Sequence, residues 1–505
     1  MDIFTILLMT LISLLLIYII YQMTYWPRRK VPNIRPIPII GNEFGLIIYR
    51  STPIADYCMK IYKYHPEARY FGLMMYNMPV IHLKDPEIIK EIYIKNFDFV
   101  PDHKSFIEEE FDPIFGKNVF SLRGERWRQV RSALTPSFTA AKMKFLFKLI
   151  SQTSEEFVEY LYDNPDLCET LDIKDAFTRY TNDVIATSAF GIQVNSMKDR
   201  ENEFYLRGKD ATNLTGTRRI LKFMCGILFP RLMRALGYTF LTKKTNDFFV
   251  NLIKNTVKYR DQNEIIRPDM IHLLMQARES AGFEITITDI MAQAFIFFLA
   301  GFETSSTVMG YVAHQLAYHQ DVQDRLRQEV DDLFVSNSEI TYESLNDMTY
   351  MDMVLSETLR LYPPVVVLDR VCSKAFDIPS PMKNADEKTD RLRVNPGTIF
   401  WVPTFAMHRD PKYFPEPDKF DPERFSPENK EKINPYTYTP FGIGPRKCIG
   451  ERFALMEIKI LFVRLLRKFV IKPCDRSREK IVFHKYSLNL LPEGGVWLKF
   501  EKRKA

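Results

Sequence analysis

The chain has 505 residues, 46% of them apolar and 13% aromatic, with 39 Phe. Its formal charge of +6 is modest for that length, and no Lys/Arg block is dense enough to form a nucleic-acid stripe, so polynucleotide binding is excluded. No Gly-, Ser- or charge-rich linker divides the sequence, which predicts one large domain with an apolar core and an N-terminal appendage.

The first element, Ile3 to Met23, is an uncharged run of 21 residues. As a helix it would measure about 31 Å, enough to cross a bilayer core. A cleaved signal peptide would need a basic start and a small-residue cleavage site, and neither is present. Trp26 suits the membrane interface, and Arg28-Arg29-Lys30 directs the rest of the chain to the cytosol. Residues 1–26 are thus read as a single transmembrane anchor. Pro27, Pro32, Pro36 and Pro38 make 27–42 a stiff, extended hinge, and 43–505 is the folded domain.

Two strands are predicted at Tyr70–Tyr76 and Pro79–Leu83, with a turn at Asn77-Met78. The aperiodic stretch that follows carries Phe106, Phe111, Phe115 and Phe120, which suits a loop folded over an apolar cavity. Trp127 and Arg131, four apart on one helix face, can present an indole N–H and a guanidinium together to a carboxylate. From Ala140 to Arg267 the pattern is largely helical. Within it, 218–234 mixes bulky apolar residues with cations, as an interfacial membrane segment would.

Thr288-Asp289 is predicted to cap a long, nearly all-apolar and therefore buried helix. On one of its faces Ala300, Gly301 and Thr304 leave room for a ligand, with Phe297 one turn earlier and Glu303 beside the threonine. Glu357 and Arg360 stand at i, i+3 on a later helix that ends at Pro363-Pro364. Val365–Leu368 then reads as a strand bringing Val366 and Val367 to a pocket.

The six cysteines form no Cys-x-x-Cys pair, and no His-Glu-x-x-His motif exists. Phosphate-loop and dinucleotide glycine motifs are also missing, so electrons for any redox chemistry must come from elsewhere. One cysteine differs from the rest. Cys448 lies in Phe441-Gly442-Ile443-Gly444-Pro445-Arg446-Lys447-Cys448-Ile449-Gly450, a tight turn running into a helix, where backbone N–H groups, the helix end and nearby cations favour a thiolate.

Phe-x-x-Gly-x-Arg-x-Cys-x-Gly resembles the haem loop of the cytochrome P-450 monooxygenases, and chance matching has odds on the order of one in a million per register. The other motifs occur in that family's order. The resemblance implies a mainly α fold with a small β region, haem b (iron protoporphyrin IX) ligated by Cys448, and propionates held by Trp127, Arg131, Arg370 and Arg446. It further implies an oxygen-handling pair in Thr304 and Glu303, and a buried charge network of Glu357, Arg360 and Arg424 behind the loop. Phe106, Phe111, Phe115, Phe120, Phe297, Val366, Val367 and Leu488 would line the substrate pocket, while Phe441, Ala300 and Gly301 would border the haem.

The implied reaction is R–H + O2 + NADPH + H⁺ giving R–OH + H2O + NADP⁺. Its partners would be NADPH–cytochrome P-450 reductase, a small cytochrome b, the endoplasmic reticulum bilayer and a small lipophilic substrate, with likeness to insect members that oxidise foreign compounds. The alternatives are a haem-thiolate isomerase or dehydratase and a non-catalytic haem carrier or sensor.

Overall fold

The computed structural model describes residues 2–42, 52–104, 107, 109, 112–212, 222, 225–226, 229–267, 269–280, 282–336, 339–384, 390–485, 487 and 489–504. Phe106, Phe111, Leu488 and most of 213–228 lie outside the described residues. The first helix, α1 (Ile3–Thr24), is capped by Asp2 and exposes apolar residues around its whole circumference.

The folded domain is helical, with small sheets at one side. Helices α2 (Gly124–Leu134), α3 (Ala140–Asp163), α4 (Ile173–Ile185), α5 (Ile287–Tyr318), α6 (Thr349–Leu361) and α7 (Glu451–Lys468) enclose one continuous apolar core. A four-stranded sheet packs beside them in the order β1 (Tyr70–Met75), β2 (Met78–Leu83), β4 (Ile399–Val402), β3 (Leu368–Val371). Only the β2–β4 pairing is parallel.

Three local expectations are corrected. Thr286, not Thr288, caps α5: it is extended, its hydroxyl accepts from the Asp289 N–H at 3.2 Å, and Asp289 returns a bond to the Thr286 N–H at 2.8 Å. Thr288 already lies inside the first turn. The predicted strand at 365–368 begins only at Leu368, whose register is set by Val402 across the sheet. Val366 is instead buried beside Tyr311, Phe405 and Leu490, and Val367 packs against the same cluster.

The hinge is no free spacer. Pro27–Arg29 forms a 3-10 turn, and the chain then docks on β1, with the Gly72 N–H donating to Pro32 O at 2.7 Å. Trp26 is buried rather than interfacial. Its indole N–H donates to Leu73 O at 2.7 Å, and its ring occupies the space where a Cβ on Gly72 would come within 2.4 Å. Docking buries the indole while satisfying its one donor, which the membrane interface would not do better.

The expected charge network is present. Glu357 and Arg360 are fully buried and joined by two bonds, at 2.7 and 2.8 Å. Arg360 also donates to His408 O at 2.9 Å and Pro417 O at 2.7 Å, and the Asp421 N–H donates to Glu357 at 2.9 Å. Arg424 approaches Glu357 to 3.4 Å. Replacing Arg360 by Leu removes these donors and strands a buried carboxylate, so a loss of about 3–5 kcal/mol is expected. Thermal melts check this, and a wild-type Tm in Arg360→Leu contradicts it.

Candidate functional site

The site is built around a turn that only unusual backbone allows. Gly442 has φ +84° and Gly444 φ +71°, and a Cβ on Gly444 would lie 2.5 Å from Tyr93 O. These conformations return the chain on itself so that the Cys448 N–H donates to Phe441 O at 2.8 Å, before α7 begins at Glu451. Phe441 itself is half-buried against the main core and contributes its carbonyl to this closure.

Cys448 opens onto a cavity of about 230 Å³ between α5, α7, the C-terminal end of α4 and the segment that carries Val119, Phe120, Trp127 and Arg131. Ala300, Gly301, Thr304 and Phe297 of α5 line it, as do Trp127, Arg131, Phe120 and Arg446. Gly450 also borders the space, and a Cβ there would meet nothing within 4 Å, leaving an open cradle beside the sulfur. The walls are mostly apolar. A lone cysteine, a flat approach and guanidinium groups at the rim fit an iron porphyrin with carboxylate tails.

The Cys448 thiol is exposed to the cavity. The surrounding protein raises it above its ordinary value by desolvation, while the Gly450 N–H, Arg131 and Lys447 act the other way. Lys447 is partly neutralised by Glu451, 2.6 Å away, which itself disfavours a thiolate.

The remaining site residues divide. Arg446 donates to Pro101 O and Leu122 O, both at 2.8 Å, pairs with Asp102 at 3.0 Å and lies 3.9 Å over the Trp127 ring. Arg131 donates to Lys447 O at 2.7 Å. Arg370 is buried behind the cavity wall, against His103, and its Nε has no hydrogen-bond partner among the described residues. Phe115 does not reach the cavity and packs edge-on to Phe240 and Phe295. Val366 and Val367 are also remote from it.

On α5 the pair expected to act together points two ways. A π turn spans Gly301–Ser305. Thr304 faces the cavity with its hydroxyl donating to Ala300 O at 2.5 Å, whereas Glu303 turns away to Lys174, 3.0 Å distant. Lys174 also donates to Ser306 and Thr307, at 2.8 and 2.9 Å. Gly301 borders the cavity, but its missing Cβ chiefly makes room for Ile185, which such an atom would meet at 2.5 Å.

Several residues were not found from sequence. His408 accepts the Thr439 N–H at 2.9 Å and contacts Arg360 O at 3.1 Å, and burial pushes its pKa down to about 3, so the ring is neutral. Gln293 accepts from the Val119 N–H and donates to Lys117 O, both at 2.8 Å, fastening the cavity roof to α5. An amide in an otherwise apolar helix was the available signal. Phe138, Ser188 and Met270 also line the space, without any distinguishing sequence pattern.

A helical fold wrapped around a cavity with one cysteine at its wall and a hydroxyl facing it fits a cofactor-binding enzyme whose cofactor is held through sulfur. The cytochrome P450 family model matches residues 31–500. Cytochrome P450 9e2 of Blattella germanica is 42% identical over 95% of this chain and 94% of its own length. Probable cytochrome P450 9f2 of Drosophila melanogaster is 39% identical over 95% of each, and cytochrome P450 6k1 of Blattella germanica 34% over 99% and 97%. The chain belongs to the cytochrome P450 family. It is a monooxygenase with haem b as its cofactor, and the family generally draws electrons from NADPH through a reductase.

One further group adjoins the cavity. Glu457 of α7 is fully buried beside Ser305, which lines the cavity. Burial lifts its pKa from 4.5 to about 8, with the Ser305 hydroxyl opposing weakly. The folded state thus keeps a proton that the unfolded chain releases above its ordinary pKa, so stability falls as pH rises between those two values. Glu457→Gln should remove that penalty, gaining on the order of 2–4 kcal/mol near pH 8 and little near pH 5. Melting curves across this window check it, and a pH-independent difference between the two proteins contradicts it.

Proposed function

We propose that the protein is a membrane-anchored monooxygenase that hydroxylates small lipophilic foreign compounds such as plant toxins or insecticides. The carrying observation is that Cys448 and Thr304 line one apolar cavity. The likeness to insect relatives of the 9 and 6 series supports the finer reading.

In this reading Cys448 would hold a haem through its iron, Gly450 would leave it room, and Trp127, Arg131, Arg446 and, from behind the wall, Arg370 would hold its carboxylates. When bound, the haem would supply O2 binding and its reductive cleavage, promoted by thiolate donation. Phe120, Phe138, Phe297 and Ile185 line the cavity and would exclude water and orient an apolar substrate there. Thr304 hands protons into the cavity: its hydroxyl leaves Ala300 O, donates inward, and is replenished by water or by Glu303 once that carboxylate leaves Lys174. A hydroxyl does this without placing a charge among apolar walls.

Electrons come from NADPH–cytochrome P-450 reductase, with a small cytochrome b as a second donor. The reductase docks near Arg126, Arg128, Lys142, Lys144, Lys148 and Lys447. Several of these are already engaged, for example Arg128 with Asp98 and Lys144 with Glu343, so docking exchanges partners rather than discharging free cations. Arg28-Arg29-Lys30 places the catalytic domain on the cytosolic side of the endoplasmic reticulum, and the exposed Phe229, Leu232, Leu236 and Tyr238 face the membrane.

Two outcomes are expected. The reduced, carbon monoxide-bound wild type shows a strongly red-shifted Soret band that Cys448→Ser loses; a folded, haem-loaded wild type without that band refutes the thiolate assignment. Thr304→Ala retains the band but diverts reducing equivalents to peroxide, and unchanged coupling of NADPH to product refutes the proton role.

A further inference from the structure

Gln293 is a buried amide in a stretch of α5 whose neighbours, Ala292, Ala294 and Phe295, are apolar. It is 2% exposed and lies outside the lining of the Cys448 cavity. Burying an amide costs free energy unless its bonds are made, and here they are made to one short stretch of chain. The side-chain oxygen accepts the Val119 N–H and the nitrogen donates to Lys117 O, each at 2.8 Å.

That stretch, 117–122, is stiff in its own right. The side chain of Asn118, itself fully buried, donates to Phe115 O at 2.6 Å and accepts the Phe120 and Ser121 N–H groups at 3.0 and 2.9 Å. Its carbonyl takes the Leu122 N–H at 2.9 Å. A segment bonded within itself in this way moves as one body, a strap rather than a loose loop. Arg446 grips the other side of it, donating to Leu122 O at 2.8 Å and, at 3.3 and 3.4 Å, to Val119 O and Phe120 O. The Val119 residue is therefore shared: its N–H belongs to α5 and its carbonyl to the turn that carries the cysteine. Arg446 stands two residues before Cys448.

We propose that Gln293 is a positioning residue for Cys448: through the 117–122 strap and Arg446 it ties the cysteine turn to α5 and fixes the separation of the sulfur from the face carrying Ala300 and Thr304. A turn of three glycines needs holding at both ends. The front is held at Thr439, whose N–H is bound by His408, and the strap holds the back. The proposal rests on the reading of Cys448 as the iron ligand.

The test uses the haem-loaded full chain with Gln293→Met, which keeps the length of the side chain and lacks the amide. Its control is Gln323→Met. Gln323 is a fully buried amide with the same pair of roles elsewhere, accepting the Ile471 N–H at 2.8 Å and donating to Leu316 O at 2.9 Å. Two signals are read below the onset of far-UV melting: hydrogen–deuterium exchange of 117–122 by mass spectrometry, and the lifetime of the red-shifted carbon monoxide band of the reduced protein. Gln293→Met should speed exchange by about tenfold or more and shorten the band lifetime by about threefold or more, because two bonds of ordinary strength are lost. Gln323→Met should leave both signals as in the wild type. Should Gln293→Met fail to load haem, Gln293→Ala, which leaves water room to meet the freed backbone groups, is read in the same way. Wild-type exchange at 117–122 overturns the hold on the strap, and faster exchange with a wild-type band lifetime overturns the tie to Cys448. Equal shortening by Gln323→Met overturns the path through Val119. A haem-loaded wild type without the band overturns the iron-ligand reading itself, and the role at Cys448 with it.

Discussion

The haem loop depends on a polar relay that begins far from it in sequence. Glu357 grips Arg360, Arg360 grips the carbonyl of His408, and the neutral His408 ring accepts the Thr439 N–H. Two steps later the Gly442 N–H bonds to Thr439 O at 3.0 Å, and the turn carrying Cys448 follows. Each group in the relay is buried, so each is held by the cost of leaving its neighbour unsatisfied rather than by the strength of its own bond. The cysteine is therefore positioned by exclusion of alternatives. A loop of three glycines could otherwise take many shapes.

The cavity shows burial and charge in opposition. At Cys448 desolvation by the surrounding protein outweighs two nearby cations, and at Glu457 burial holds a carboxyl in neutral form. Burial also depresses Lys174, yet Glu303 and two hydroxyls keep it paired. The cavity wall is mostly apolar, its cations being Arg131, Arg446 and Lys447. Such a surface favours apolar ligands.

How much of this was legible in the sequence depended on distance along the chain. The Cys448 turn, the Glu357–Arg360 pair and the small-residue face of α5 are local patterns: Cys448 and that face line one cavity, and Glu357 pairs with Arg360 elsewhere. Trp26 was assigned to the membrane interface because its partner, Leu73, lies 47 positions away and leaves no local sign. Gln293 bonds across 174 positions and Arg370 reaches His103 across 267. Adjacency misled as well: Glu303 and Thr304 are neighbours in sequence but, on a helix, point about 100° apart, so one met Lys174 and the other the cavity. For Phe115, aromatic character signalled burial without saying which side of the roof it would fill.

The π turn at Gly301–Ser305 has an evolutionary and engineering consequence. It lets α5 change phase partway along, so that the half carrying Ala300 and Thr304 and the half carrying Tyr311, stacked at 4.2 Å on Tyr362, each meet their own partners. Deleting one residue from a regular turn of α5 would rotate everything downstream by about 100° and draw it back by about 1.5 Å. The wider π turn holds one residue more than an α turn, so a deletion there closes it to an ordinary turn and leaves the downstream half in phase. Length variation in this buried helix should accordingly be tolerated at the π turn and forbidden in the turns on either side of it, whatever side chains are chosen.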